Sequence, residues 1–203
     1  MSGALQLGLF AGGAPRIDEE FRELRRTKLA YGAWFDYQRG WMSGSDTLFA
    51  ELRDTMPWHG ERRMMYGREV ETPRLYTRAP DNGARHALLA QMREVLSRRY
   101  GERFVNVTMA WYRDGADSVA MHGDTTARDM LEATVATVSL GAPRRFLLKP
   151  TEGGASIAME LGGGDLLVMG GTCQRTWRHG IPKVAKAGPR IAVMFRPRWG
   201  DSE

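Results

Sequence analysis

FVNVTMAWYRDGADSVAMHGD, residues 104–124, carries two signals that together set the architecture. Its opening alternates, with Val105, Val107, Met109 and Trp111 set against Phe104, Asn106, Thr108, Ala110 and Tyr112, which is the period-two pattern of a β-strand. Its end is His122-Gly123-Asp124, an imidazole and a carboxylate two positions apart. On an extended segment such a pair shares one face, so both groups can bind a single metal from adjacent pleats.

Working outward, further strand patterns fall at TVATVSL (134–140), RRFLLK (144–149), SIAMEL (156–161), DLLVM (165–169) and RIAVMFR (190–196), with Gly or Pro clusters between them. Upstream the period is helical. In SDTLFAELRDTM (45–56), Ser45 or Asp46 is the expected cap, Leu48, Phe49 and Leu52 recur on one side, and Pro57 ends the run. Over 84–100, Leu88, Leu89, Met92, Val95 and Leu96 share a face and Gly101 is placed as a C-terminal cap. IDEEFRELRRTK (17–28) fits a short surface helix or an amphipathic strand, and the arginine-rich run from Trp58 to Tyr76 fits a hairpin-like flap. Residues 1–15 read as a loose lead. The predicted fold is α+β: a double-stranded β-helix core, jelly-roll and cupin-like, with N-terminal helices. One domain is expected, with 1–80 as extension and flap and 81–203 as helix plus catalytic core. No internal repeat or low-complexity linker is present.

A second histidine, His179, lies 55 residues beyond Asp124, just before Gly180 and Pro182. His-x-Asp followed by a distant His is the ligand order of the facial triad that holds non-haem Fe(II) and leaves three octahedral positions open for a bidentate 2-oxo acid and dioxygen. A His-x-Asp pair alone arises often by chance; the arginines of GPRIAVMFRPR add weight. Arg190 and Arg196 are six positions apart, so on a strand they share a face, with Cα atoms roughly 20 Å apart and side chains able to lean inward on a dicarboxylate. Arg196 follows the apolar run IAVMF, where an unpaired guanidinium is costly and an anionic ligand would relieve it. Tyr112, ten residues before His122, suits either a hydroxyl donor to a carboxylate or an ordinary core aromatic.

The chain has 203 residues, and 29 Lys+Arg against 24 Asp+Glu give a formal charge of +5 and a pI near 9.6. That balance favours a polyanionic partner. Arginine pairs at 25–26, 62–63, 98–99 and 144–145 fit phosphate contacts and plain solvated faces equally well. Cys173 is the only cysteine, which excludes an intrachain disulfide and suits a reducing compartment where iron stays ferrous. No basic segment precedes the short apolar run of MSGALQLGLFAGGAPR, and no stretch approaches the roughly 20 apolar residues of a membrane span. A cytoplasmic monomer with no membrane contact is expected.

At WYRDGADSVAMHGD, VSLGAPRRFLLKP, LGGGDLLVMGGTCQRTWRHGIPK and GPRIAVMFR the chain resembles the AlkB family of Fe(II)/2-oxoglutarate dioxygenases, over residues 57–198. The order and spacing of these stretches are more specific than any one of them. The resemblance implies that His122, Asp124 and His179 ligate iron, that Tyr112 and Arg190 hold the distal carboxylate of 2-oxoglutarate, and that Arg196 lies near the carboxylate beside the keto group. It also implies that RRMMYGREVETPR is a nucleotide-recognition flap, with Met65 and Tyr66 reaching the base stack and Arg62 and Arg63 close by. Three departures stand out. Ala110 and Ala192 occupy positions where many members have Asn, which implies fewer hydrogen bonds to the cofactor. Thr125 and Thr126 stand where the family often has an acid that reads the exocyclic amino group of a damaged base, and Asp129 is displaced from that place. The segment after the flap is short, TRAPDNG.

The expected activity is oxidative demethylation of an N-alkylated base in DNA or RNA, with Fe(II), 2-oxoglutarate and O2, releasing formaldehyde, succinate and CO2. A base must leave its stack to be reached, at a cost of about a few kcal/mol. Trp177, Trp111, Met65 and Tyr66 are candidates for stacking or wedging, with Trp177 also a natural core residue. Two other functions compete: hydroxylation of a small molecule or protein side chain by the same centre, and a non-catalytic nucleic-acid-binding module.

Overall fold

The computed structural model describes residues 13–65, 68–124 and 130–198, with backbone alone for 61–65 and 68–71. Short strands β1 (Arg16–Ile17), β2 (Arg25–Lys28), β3 (Ala33–Gln38) and β4 (Met42–Ser43) precede helix α1 (Ser45–Thr55). Strands β5 (His59–Met65) and β6 (Arg68–Arg78) lead to helix α2 (Ala87–Tyr100). Then come β7 (Phe104–Tyr112), β8 (Val119–His122), β9 (Val135–Gly141), β10 (Arg144–Pro150), β11 (Ile157–Leu161) and β12 (Leu166–Gly171). A single helical turn α3 (Cys173–Thr176), β13 (Trp177–Ile181) and β14 (Arg190–Pro197) complete the fold.

Two antiparallel sheets form the core: an eight-stranded one in the order β2-β3-β12-β9-β14-β7-β6-β5 and a four-stranded one in the order β11-β10-β13-β8. This is the expected jelly roll. The central strands of the large sheet are covered on both faces. One face sends Val107, Met109, Val138, Val168, Val193 and Phe195 against Leu48, Leu52, Leu89, Met92 and Leu96 of α1 and α2. The other sends Ala110, Tyr112, Leu167, Met169 and Ala192 toward Phe146, Leu148, Trp177 and Ile181 of the small sheet. Alternation therefore assigns each residue of β7 and β14 to the helix side or the inter-sheet side. Phe104 departs from its parity because the register shifts between Arg196 and Pro197, which returns its ring to the helix side.

Both predicted helices form, with caps that differ in one case. The left-handed N-cap of α1 is Gly44, at φ 64°, and no side chain caps it. A Cβ there would lie 2.6 Å from the Gly13 carbonyl oxygen, so a serine or aspartate could not take that place. The N-cap of α2 is His86, whose Nδ1 accepts the Leu89 N–H at 3.3 Å, and Gly101 closes its C-terminus at φ 61°. The expected flap is the β5–β6 hairpin, with Arg62 opposite Glu71 and Met65 opposite Arg68.

The N-terminal region differs most from expectation. Its described residues hold one α-helix, and four of the eight strands of the large sheet come from before residue 80. The stretch expected as helix or amphipathic strand is turn followed by β2. β3 had no clean alternation because it buries polar groups: Asp36 is held by Arg26 at 2.7 and 2.8 Å and by the Tyr100 hydroxyl at 3.0 Å. Among the described residues no helix is long and apolar enough to cross a membrane.

Candidate metal and dicarboxylate site

β8 and β13 are neighbours in the small sheet, and their register sets His122 directly opposite His179, ring centroids 4.4 Å apart. Asp124 follows two residues after His122. Its N–H donates to Gln174 Oε1 at 3.0 Å, which ties the ligand loop to α3. Gly123 makes that approach feasible, since a Cβ there would lie 2.2 Å from the Gln174 carbonyl oxygen. Ligand atoms of His122, Asp124 and His179 all fall within 4.8 Å of one another. His122 Nδ1 lies 2.8 Å from the Ala120 carbonyl, an acceptor only, so Nδ1 carries the proton and Nε2 keeps its lone pair for a metal. His179 stacks on Phe146 at 5.7 Å, which fixes its ring plane.

The protonation states suit a metal. Burial, followed by the neighbouring His122, pushes His179 down to about 3. Burial also lowers His122, aided by the positive charges of Arg74 and Arg196. Burial alone would raise the Asp124 carboxyl, but the charge and hydrogen bonds of Arg196, with the two histidines, hold it at about 2. At neutral pH the cluster is two neutral imidazoles and one carboxylate, the forms that ligate divalent cations. These residues fit Fe(II).

β14 lines the inter-sheet cavity, of about 330 Å³, with Arg190, Ala192, Met194 and Arg196. Arg196 donates to Asp124 through Nε at 2.8 Å and Nη2 at 3.4 Å, and through Nη1 to Thr108 Oγ1 at 2.6 Å. The buried guanidinium expected to wait for an anionic ligand is therefore paired within the protein. Arg190 is the one left over. It is 1% exposed, gives Nε to Ser139 Oγ at 2.9 Å, and has no acidic partner among the described residues. Burial lowers it to about 10, still a cation at neutral pH. Tyr112 lies between two guanidinium groups, Arg190 at 5.4 Å and Arg144 at 5.6 Å from its ring centre. A buried cation without a counter-ion, beside a phenol, fits a carboxylate of 2-oxoglutarate. Ala110 and Ala192 face each other across β7 and β14 and line this cavity with methyl groups in place of amides.

Other expectations change. Trp177 is 5% exposed and its Nε1 donates to the Ala30 carbonyl at 3.3 Å, so its ring is core and cannot stack on a base. Trp111 points to the helix side, 5.5 Å from Trp58. Arg144, in one of the pairs open to a solvated role, is 2% exposed and donates to the carbonyls of Asp114, Asp117 and Pro182. The backbones of Arg62, Arg63 and Met65 belong to β5, their side chains lying outside the described residues, as do Tyr66, Thr125, Thr126 and Asp129 altogether.

Thr108, Thr137, Ser139, Gln174, Arg74, Tyr76 and Arg78 went unnoticed in the sequence. Thr137 and Ser139 left a trace, two polar residues of one parity inside an apolar strand. Gln174 left none, since α3 is one turn long.

A model of the 2OG-Fe(II) oxygenase superfamily matches residues 42–196. The chain is 26% identical to the alpha-ketoglutarate-dependent dioxygenase alkB homolog 3 of Bos taurus, over 77% of this chain and 63% of that protein. It is 27% identical to the DNA oxidative demethylase ALKBH2 of Arabidopsis thaliana, over 79% of this chain and 62% of that protein. The chain thus spans about three-fifths of the length of these relatives. The solved structure of OsALKBH1 superposes with a TM-score of 0.56 at 12% identity, covering 86% of this chain and 100% of that one, a likeness of fold.

Proposed function

Because the chain belongs to the 2OG-Fe(II) oxygenase superfamily, we propose that it is an AlkB-type dioxygenase that oxidatively demethylates N-alkylated bases in DNA or RNA. The observation that carries this reading is the coincidence in one cavity of a His122–Asp124–His179 cluster and an uncompensated Arg190. A metal site alone would fit many chemistries. A metal site beside a buried cation calls for a metal and an organic anion together.

In this reading His122, Asp124 and His179 would hold Fe(II), and Arg190 with Tyr112 would hold the distal carboxylate of 2-oxoglutarate. Bound there, Fe(II) and 2-oxoglutarate would supply the oxidation of an N-methyl carbon by dioxygen, with loss of formaldehyde, succinate and CO2. The protein's own part is positional. Arg196 keeps Asp124 ionised and turned toward the histidines. Ser139 fixes the plane of the Arg190 guanidinium, so little freedom is lost when an anion binds. Phe146, Met169 and Ile181 border the cavity with apolar surface that restricts water. The basic composition supports a polyanionic substrate whose phosphates meet arginines at the rim.

The test is formaldehyde release from a panel of oligonucleotides, DNA and RNA, each carrying one methylated base, with 2-oxoglutarate consumption measured in parallel. Release from at least one methylated oligonucleotide and none from its unmodified counterpart is the expected result. Consumption of 2-oxoglutarate with no release from any of them would move the substrate to a small molecule or a protein side chain.

A further inference from the structure

β6 turns Arg74, Tyr76 and Arg78 toward the same cavity, as residues at i, i+2 and i+4 of a strand must. Tyr76 stands opposite Ala110 and Arg78 opposite Thr108, so the three form the wall adjoining the β7–β14 floor. Among the described residues neither arginine has an acidic partner: Arg74 gives Nη1 to the Ser118 carbonyl at 3.3 Å, and no ion pair there involves Arg74 or Arg78. Arg78 is exposed at the rim and Arg74 is half-buried below it.

The cavity's charge is lopsided. Among the described residues lining it, Arg74, Arg78, Arg190 and Arg196 face a single carboxylate, Asp124, which is already bound to Arg196. A divalent cation and the dianion of 2-oxoglutarate cancel each other, so loading the site leaves that excess of positive charge in place. A guanidinium carries five N–H donors and no acceptor. Arg74 can therefore donate to a carbonyl oxygen, but it cannot accept from an exocyclic amino group, and it repels a base that is itself cationic.

Resting on the demethylase reading above, we propose that this cavity selects uncharged N-methylated bases that present carbonyl oxygens, of the 3-methylthymine and 3-methyluracil type, over the cationic 3-methylcytosine and 1-methyladenine. Arg74 is the specificity-determining residue, and Arg78 at the rim supports it by holding the flanking phosphate.

The experiment uses single-stranded oligonucleotides identical except for one base: 3-methylthymine, 3-methylcytosine, 1-methyladenine or thymine. Two readouts are taken, fluorescence-anisotropy affinity for the metal-free protein and single-turnover formaldehyde release for the iron-loaded one. The 3-methylthymine oligonucleotide should be favoured over the 3-methylcytosine one by about tenfold in turnover, with the same order in affinity. Arg74→Glu should erase or reverse that ratio, with circular dichroism confirming its fold. Equal or faster release from the cationic lesions by the unaltered protein would overturn the selectivity and leave the demethylase reading standing. No release from any lesion, with no preference in binding, would overturn both.

Discussion

The Arg196 guanidinium grips the Asp124 carboxylate from 72 residues away in sequence, with hydrogen bonds of 2.8 and 3.4 Å. The pair joins β14, which also carries Arg190, to the loop after β8 that carries Asp124. Arg196 thus positions the carboxylate of the candidate metal cluster. Arg196→Met should lower Fe(II) affinity by about 10–100-fold, the usual cost of removing a partner that orients a ligand. Titration with Fe(II), or with Mn(II) as a redox-stable substitute, measures it. An unchanged metal affinity would assign the orientation of Asp124 to Gln174 alone.

Gln174 accepts the Asp124 N–H at 3.0 Å, and its own Nε2 is buried without a hydrogen-bond partner among the described residues. The carbonyl end matters and the amide end does not. Gln174→Ala should weaken metal binding by about tenfold, while Gln174→Glu, which keeps an acceptor at Oε1, should recover much of the loss. Equal losses in the two variants would show that the side chain acts by packing.

Arg190 should respond with opposite signs in two measurements. Burying a guanidinium without a counter-ion destabilises the empty protein, so Arg190→Met should raise its stability by about 1–4 kcal/mol in urea denaturation. The same change removes the charge that meets a carboxylate, so the concentration of 2-oxoglutarate needed for half-saturation should rise by at least about tenfold. A variant that loses stability and binds 2-oxoglutarate normally would show that the cation is compensated elsewhere.

Acid sensitivity should trace in part to Asp117. Burial favours raising its carboxyl, but hydrogen bonds from Arg113, at 2.8 and 2.9 Å, and the charges of Arg113 and Arg144 bring it below the usual carboxylate range. A carboxyl depressed in the folded state contributes stability above its unfolded value, and that contribution is lost as pH falls through the folded one. Asp117→Asn should therefore destabilise the protein at pH 7 by about 1–3 kcal/mol, and should flatten the fall of the urea midpoint below the ordinary carboxyl value of 3.8. Parallel acid limbs for the two proteins would place the pH sensitivity in other carboxylates.

Local periodicity was enough for much of the fold. The nine residues of β7, the α2 helix with its Gly101 cap and strands β9, β10, β11, β12 and β14 could be read in place, because alternation and helical spacing are properties of neighbouring residues. The same parity put Arg190 and Arg196 on one face, and the ligand order of His122, Asp124 and His179 was visible in the text. β3 was not, because Asp36 and Gln38 turn inward and their partners come from other elements.

Tertiary structure alone decided which groups are satisfied. Nothing local distinguishes Arg196, paired with Asp124, from Arg190, which has no acidic partner among the described residues, or shows that Arg144 is buried against three carbonyls. Nor could spacing show that β6 would add Arg74 and Arg78 to a cavity built mainly from strands beyond residue 100. Sequence spacing fixes which way a side chain points from its own strand. The charge or oxygen that it meets comes from a strand brought alongside by the closing of the sheets, and only that meeting determines whether an arginine is a structural tie or a ligand site.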